Sequence, residues 1–267
     1  MSTLNINGFM VGYDDQGKGE TIIFIHGHPF NRSMWLPQAE LLRRTYRVIA
    51  LDLRGYGESM VTAGKVRLED HAADIRNLLD HLGVDQIILG GLSMGGQIVM
   101  EFYRQFPERV RALMLADTFA QLDTPQSREN RIKTADRLIL EGMEHYSAEV
   151  LSKMITPANI ESMPEVAAHV MVMMKTTPPD GAAASLHGRA ERRDYLPILS
   201  GIIVPTLIVV GREDEFTPVN DAELMHSLIP NSKLEVIEGA GHMPNLERER
   251  EFNLLLINWL ATIKHSG

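Results

Sequence analysis

Apolar residues along the chain fall into two rhythms. Residues 21–25, 47–51, 86–89, 112–115 and 206–210 form short apolar runs bounded by Gly, Pro or Asp. Runs of that length without polar alternation predict strands buried on both faces. Between them apolar positions recur three and four apart, as in 68–82, where Ile75, Leu78, Leu79 and Leu82 share a face, and in 252–263. That spacing predicts amphipathic helices. Strand and helix alternating in this way predict an α/β fold, a mostly parallel sheet covered by helices on both sides. Asn7-Gly8, set between residues 4–6 and 9–11, adds an antiparallel hairpin at one edge.

The rhythm breaks from about residue 119 to 195. Helical patterns there cover 127–143, 147–154 and 164–175, prolines stand at 125, 157, 164, 178 and 179, and no strand pattern appears. The stretch separates the strand signal ending at Ala116 from the one beginning at Val204. The expectation is a core of residues 1–118 and 196–267 with a helical cap, 119–195, over the carboxyl ends of the strands, where open α/β sheets place ligands. Six of the 15 methionines lie in that stretch: Met143, Met154, Met163, Met171, Met173 and Met174. Methionine adapts to irregular apolar shapes, so an apolar substrate tunnel under the cap is expected, with packing of cap on core the plainer role of any single one.

The run Gly90-Gly91-Leu92-Ser93-Met94-Gly95-Gly96 joins one of the strands to an amphipathic stretch starting at Gln97. A G-x-S-x-G pentapeptide between strand and helix is a nucleophile elbow: the tight turn exposes the serine hydroxyl, and small residues at Gly91 and Gly95 let strand and helix approach closely. It also aims the first N–H groups of the helix, beginning with Met94, at the oxygen of whatever the serine attacks.

A serine nucleophile needs a base and an acid that orients the base. Of ten histidines, His242 alone sits in a glycine-rich loop after a strand-like run, Leu234-Glu235-Val236-Ile237, while His71, His81, His145, His169, His187, His226 and His265 read as surface or packing residues. For the acid, the turn Gly211-Arg212-Glu213-Asp214-Glu215-Phe216-Thr217-Pro218 offers three carboxylates. Asp214 is chosen; Glu213 and Glu215 are fallbacks, and Asp117 is a weaker rival. The order Ser93, Asp214, His242 is that of one of the three large serine hydrolase classes.

Composition narrows the reading further. The 267 residues suit one large α/β domain with an insertion, and 44% hydrophobic with 23% charged residues is ordinary for a soluble chain. No apolar run reaches the length of a membrane span, and the start shows neither the basic flank nor the apolar core of a secretory signal, so a cytoplasmic location is expected. The absence of cysteine excludes disulfides, thiolate metal sites and a cysteine nucleophile. A net charge of −9 without a basic stripe argues against nucleic acid as a partner. Arg43-Arg44 and Arg192-Arg193 read as solvated faces. His26-Gly27-His28 has a metal-ligand spacing, but Pro29-Phe30-Asn31 follows instead of Asp-His, so no metal and no cofactor are expected. Oligomeric state is not legible.

Taken together, the chain resembles the α/β-hydrolase superfamily over nearly its whole length. His26-Gly27-His28-Pro29 is similar to the HG-x-x oxyanion loop of that family, and the match implies an oxyanion hole made by the backbone N–H groups of His28 and Met94. Asp52-Leu53-Arg54-Gly55-Tyr56-Gly57-Glu58-Ser59 resembles its structural D-x-R-G-x-G-x-S turn, and Gly211-x-x-Asp214-x-x-x-Pro218 and Gly241-His242 its acid and histidine loops. Within the superfamily the chain looks like bacterial carboxylesterases, 3-oxoadipate enol-lactonases, N-acylhomoserine lactonases of this fold and cofactor-free perhydrolases. The resemblance implies hydrolysis of a small-molecule ester or lactone. Serine at the elbow argues against dehalogenase and epoxide hydrolase chemistry, which uses aspartate there. Phe30, Phe119, Met143 and Met243 are the side chains expected to touch substrate. Pro29 in the oxyanion loop reads first as a fixed turn, with perhydrolysis as an alternative side activity, to be abandoned if no peracid forms from ester and peroxide. A slow-turnover lactone receptor is a further alternative, eliminated by multiple turnover of a simple ester.

Overall fold

The computed structural model describes residues 2–6 and 8–263; Asn7 and His265 lie outside them. Eight strands form one sheet: β1 (Ser2–Ile6), β2 (Phe9–Gln16), β3 (Thr21–Ile25), β4 (Arg47–Leu51), β5 (Ile87–Leu92), β6 (Val110–Ala116), β7 (Thr206–Gly211) and β8 (Ser232–Ile237), in the order β1-β2-β4-β3-β5-β6-β7-β8. The β1–β2 and β2–β4 pairs are antiparallel, and every pair from β4 to β8 is parallel. The β1–β2 hairpin is the one expected at the sheet edge.

Side chains alternate across a strand, so an unbroken apolar run feeds two cores at once. Ile23, Ile25, Ile49, Leu51 and Leu89 go to one face, under α2 (Leu68–Leu82) and α3 (Met94–Gln105), while Ile22, Phe24, Val48, Ala50 and Ile88 go to the other. Each fully buried aliphatic or aromatic side chain stabilises the fold by about 1.5–3 kcal/mol. α1 (Leu36–Leu42), preceding these in the chain, covers the second face.

Between β6 and β7 the chain makes five helices, α4 (Pro125–Glu141), α5 (Met143–Met154), α6 (Pro157–Ser162), α7 (Pro164–Thr176) and α8 (Pro179–Arg189), followed by the short α9 (Leu196–Leu199). No strand lies in this insertion among the described residues. Four of the five have Pro in their first turn and a preceding Thr, Met or Pro as cap residue, where the missing N–H costs nothing. α10 (Val219–Leu228), α11 (Pro244–Glu247) and α12 (Glu249–Leu260) complete the described chain, and none of its helices is long and apolar enough to cross a membrane.

α6 and α8 are absent from the sequence reading, and α8 shows why. Its residues Gly181, Ala182, Ala183, Ala184, Ser185 and Leu186 are all buried, so it presents no polar face to set a period. It touches backbone instead: a Cβ at Gly181 would lie 2.0 Å from the carbonyl oxygen of Gly55, and one at Gly188 would lie 1.8 Å from that of Val66.

Candidate active site

Ser93 stands between β5 and α3 with φ 59° and ψ −118°, a conformation rarely adopted by a residue with a side chain. The surroundings hold it there. Its N–H donates to the Ala116 carbonyl at 2.9 Å, and its own carbonyl accepts from the Thr118 hydroxyl at 2.7 Å and the Gln97 N–H at 3.2 Å. The glycines on either side are required by contact: a Cβ on Gly95 would lie 2.4 Å from the Ile25 carbonyl oxygen, and one on Gly91 would lie 2.5 Å from that of Gly95.

His242 and Asp214 are both buried and arrive from the loops after β8 and β7. The His242 Nδ1–H donates to Asp214 Oδ2 at 2.8 Å, which leaves Nε2 as the basic nitrogen. Asp214 also accepts from the Thr217 hydroxyl on Oδ2, and from the N–H groups of Phe216 (2.8 Å) and Thr217 (3.2 Å) on Oδ1. Burial pushes its pKa up, but the His242 charge and these hydrogen bonds outweigh it and hold the carboxyl below its ordinary value. Glu213 and Glu215 are exposed. Ser93 and His242 line the same cavity. Among the described residues no hydrogen bond joins them, as is common before a substrate tightens the site.

Asp117 reaches the same place from the end of β6, buried and with φ 44°. One oxygen accepts from the Gly211 N–H at 2.9 Å; the other is buried without a partner. Burial, and then the Asp214 charge beside it, raise its pKa well above the ordinary value. Oxygen and nitrogen atoms of Asp117, Asp214 and His242 lie within 4.8 Å of one another. Asp214 Oδ2 is already occupied by His242 and Thr217, so this trio fits a hydrogen-bonded imidazole better than a metal. The His26-x-His28 pair fits a metal no better. His26 Nε2 accepts the Leu53 N–H at 2.9 Å, so Nδ1 carries the proton and donates it to the Gly27 carbonyl at 2.8 Å. Both ring nitrogens are thereby used in structure.

His28 lines the cavity, and its Nδ1 lies 2.8 Å from the Tyr56 hydroxyl. Burial, then the charges of Arg189 and Arg131, depress its pKa well below the usual value, so the ring is neutral. Neither the His28 nor the Met94 backbone N–H is taken by a protein acceptor among the described residues, as expected of a loop and a first helical turn aimed at a ligand. The His28–Pro29 peptide is cis.

The cavity has a volume of about 560 Å³. Its floor is His28, Ser93, Phe119, Phe216, Thr217 and His242; its roof comes from α4, α5 and α8. Here the sequence expectation is corrected. Of the four side chains expected to touch substrate, only Phe119 lines the cavity. Phe30 and Met243 are buried in the core on one face of the sheet, and Met143 packs among Ala135, Leu138, Ala182 and Leu186. Of the six methionines in the insertion only Met154 reaches the wall. The roof instead presents Asn130, Arg131, Thr134, Arg137, Glu149, Lys153 and Arg189. Tyr146, Val150, Met154 and Leu186 add an apolar part to the wall, while Ala135, Leu138, Met143, Ala182 and Ala183 of the same helices are spent on packing against one another. Arg43 and Arg44 are exposed as expected, but Arg192 is buried: its Nη2 donates to the Gln121 carbonyl at 2.5 Å, and its guanidinium stacks 4.8 Å from the Phe119 ring centroid. Nothing in the local charge pattern marked Arg189 or Arg192, whose partners Gln97 and Asp123 are distant in sequence, and Arg131 reaches Asp123 only once α4 has formed.

A family model of the alpha/beta hydrolase fold matches residues 20–249. The 3-oxoadipate enol-lactonase 2 of Acinetobacter baylyi is 30% identical over 253 residues, covering 94% of this chain and 93% of that protein. Among solved structures, a thermophilic esterase from Thermogutta terrifontis with malate bound superposes with a TM-score of 0.95 at 36% identity, over 98% of this chain and 97% of that one. An N-acyl homoserine lactone degrading enzyme superposes with a TM-score of 0.82 at 27% identity, over 96% of this chain and 99% of that one.

Proposed function

Since the chain belongs to the α/β-hydrolase fold family, we propose that it is a serine hydrolase that cleaves carboxylic esters or lactones through an acyl-enzyme on Ser93. The observation that carries the reading is the His242–Asp214 hydrogen bond of 2.8 Å set behind a cavity whose floor is the strained Ser93. In this mechanism Ser93 Oγ attacks the carbonyl carbon as His242 Nε2 takes its proton, and Asp214 holds the imidazolium that forms. The N–H groups of His28 and Met94 receive the oxyanion. Collapse of the tetrahedral species breaks the ester C–O bond, and the leaving alkoxide takes the proton from His242. A water, deprotonated by the same nitrogen, then attacks the acyl carbon and releases the acid with Ser93 restored. The helices α4–α8 serve as the cap that shields these steps from bulk water.

The test is paired steady-state kinetics on 4-nitrophenyl esters of increasing chain length and on N-acylhomoserine lactones, with Ser93→Ala as control. Turnover that falls by about a thousandfold or more in Ser93→Ala supports the acyl-enzyme, since a triad member lost costs that much. Activity surviving the substitution overturns it. Lactone kcat/KM well above the ester values makes the protein a lactonase; the reverse makes it a carboxylesterase.

A further inference from the structure

The roof of the cavity holds more positive charge than the protein itself neutralises. Arg131, Arg189 and Arg192 gather around one carboxylate, Asp123. Arg131 takes both of its oxygens, Nε at 3.0 Å and Nη2 at 2.8 Å, and Arg192 Nη2 lies 3.6 Å from Oδ1. The other acid on the wall, Glu149, is paired with Arg137. Lys153 and Arg189 are left over, and of the two Arg189 is the buried one. Among the described residues it has no carboxylate within ion-pair distance, although it is 7% exposed. Its Nε donates to Gln97 Oε1 at 2.7 Å and its guanidinium carbon lies 5.9 Å from the Phe119 ring centroid, while its terminal nitrogens carry no protein hydrogen bond among the described residues and the residue lines the cavity. A desolvated guanidinium facing two like charges is costly, and an anion in the cavity removes the cost. Burial and the charges of Arg131 and Arg192 indeed push its pKa well below the usual arginine value.

The anchor matters as much as the charge. Gln97 lies four residues after Ser93, one turn along α3, and its Nε2 donates to the Phe119 carbonyl at 3.4 Å, which turns Oε1 toward Arg189. Arg189 is therefore fixed relative to the nucleophile by one short hydrogen bond. With Nε occupied, the two Nη groups remain to meet a ligand end-on, the geometry that matches the two oxygens of a carboxylate.

We infer that Arg189, backed by Arg131 and Arg192, is a carboxylate subsite, and that the esters or lactones taken by this cavity carry a free carboxylate. The inference rests on the reading of Ser93 as the nucleophile in the same cavity. Three sources share the chemistry: half-esters of short dicarboxylic acids, esters whose alcohol part bears a carboxylate, and lactones with a carboxylate arm. The preference runs against the protein's net charge of −9, so it must be local to the cavity.

Two measurements test it separately from catalysis. The first is kcat/KM on matched pairs: 4-nitrophenyl hydrogen glutarate against its methyl ester, with the charge on the acyl side, and 4-acetoxybenzoate against its methyl ester, with the charge on the alcohol side. The expected result is a preference of about tenfold or more for the charged member of one pair, since charge-assisted hydrogen bonds to a buried guanidinium favour a carboxylate over its ester. That ratio should collapse toward one in Arg189→Gln and fall only partly in Arg189→Lys. The second is calorimetric titration of glutarate into Ser93→Ala and into the Ser93→Ala/Arg189→Gln double variant, with binding expected only in the former. Neutral esters hydrolysed with no anionic preference in either pair and no glutarate binding overturn the subsite and leave the nucleophile standing. Glutarate binding lost in the double variant, with no hydrolysis of any ester, keeps the subsite and overturns the nucleophile. An anionic preference that persists in both Arg189 variants overturns the assignment to Arg189. Should Arg189→Gln fail to fold, the wild-type ratios and glutarate binding to Ser93→Ala decide.

Discussion

Two buried carboxyl groups meet at His242, and what distinguishes them is the number of donors each one faces. Asp214 accepts from the His242 ring, the Thr217 hydroxyl and two backbone N–H groups, whereas Asp117 accepts from Gly211 alone and keeps one oxygen unpartnered. Asp214 is thereby held below the ordinary carboxyl pKa, whereas burial and the Asp214 charge raise Asp117 well above it. Asparagine copies a neutral carboxyl but not an ionised one. Asp117→Asn is accordingly expected to retain kcat within a few-fold, while Asp214→Asn should lose about a thousandfold or more. The pH dependence is specific as well. With a folded pKa above the unfolded value of about 3.9, Asp117 holds a proton that the unfolded chain releases, so wild-type stability is lost as pH rises from about 4 through the folded pKa. Asp117→Asn removes that loss. Its melting temperature relative to wild type should climb across that window and level off above it, and a difference flat with pH would exclude Asp117 as the protonated neighbour. From sequence the acid could be narrowed to the turn after β7, with Asp117 a weaker rival, but Glu213, Asp214 and Glu215 could not be ranked by physics. The turn that aims the Phe216 and Thr217 amides at Asp214, and the reach of Asp117 from another strand, exist only once the chain has folded.

The elbow was legible as an element because it is built by exclusion: only glycine fits where backbones approach this closely. The prediction follows from what a methyl group would strike. In Gly95→Ala it would meet the Ile25 carbonyl oxygen at 2.4 Å, an atom of the central strand β3 that cannot move alone. Destabilisation of about 1–3 kcal/mol is expected in denaturant unfolding, with loss of hydrolase activity as α3 tilts away from Ser93. Gly90→Ala, in the same run, would meet the Met114 Cε at 2.8 Å, the tip of a flexible side chain, and the Phe24 ring less closely at 3.1 Å, and should cost less. Equal costs at the two positions would mean that the elbow yields as readily as a side chain. The strands were legible for a related reason, since burial on both faces leaves an uninterrupted apolar run. Three helices of the insertion, α4, α5 and α7, were legible as helices but not as a surface. The same spacing that identified α7 says which side is apolar, not that Met173 and Met174 would be spent on the core while α4 and α8 turn arginines to the cavity.

At the scale of the molecule, one side chain ties the insertion to the histidine loop. Glu247 in α11 is buried, and its two oxygens face opposite ways: Oε1 accepts the N–H groups of Gly241 (2.8 Å) and Met243 (3.3 Å), on either side of His242, while Oε2 accepts from the Thr156 N–H (2.9 Å) and the Asn159 side chain (2.7 Å) at α6. Asn159 spends its second proton on the Gly239 carbonyl at 2.8 Å, so the same bridge grips both ends of that loop. Glutamine at 247 conserves volume but must place an NH₂ where two donors already point, whichever way the amide turns. Glu247→Gln is therefore expected to lower stability by about 2–3 kcal/mol, the cost of leaving buried donors unmet, and to reduce kcat more than it raises KM, because the histidine loses its support while the cavity roof keeps its side chains. A contrast is available on the surface. Lys65 also ties core to insertion, through an exposed ion pair with Glu191, yet Lys65→Ala should change stability by no more than about 1 kcal/mol and leave kcat alone. If Glu247→Gln lowered the melting temperature without touching kcat, the bridge would be holding the insertion and not the base. If both fell together, placing the roof and placing His242 would be one structural event, and a chain that closes over its substrate would by the same contact set the imidazole that acts on it.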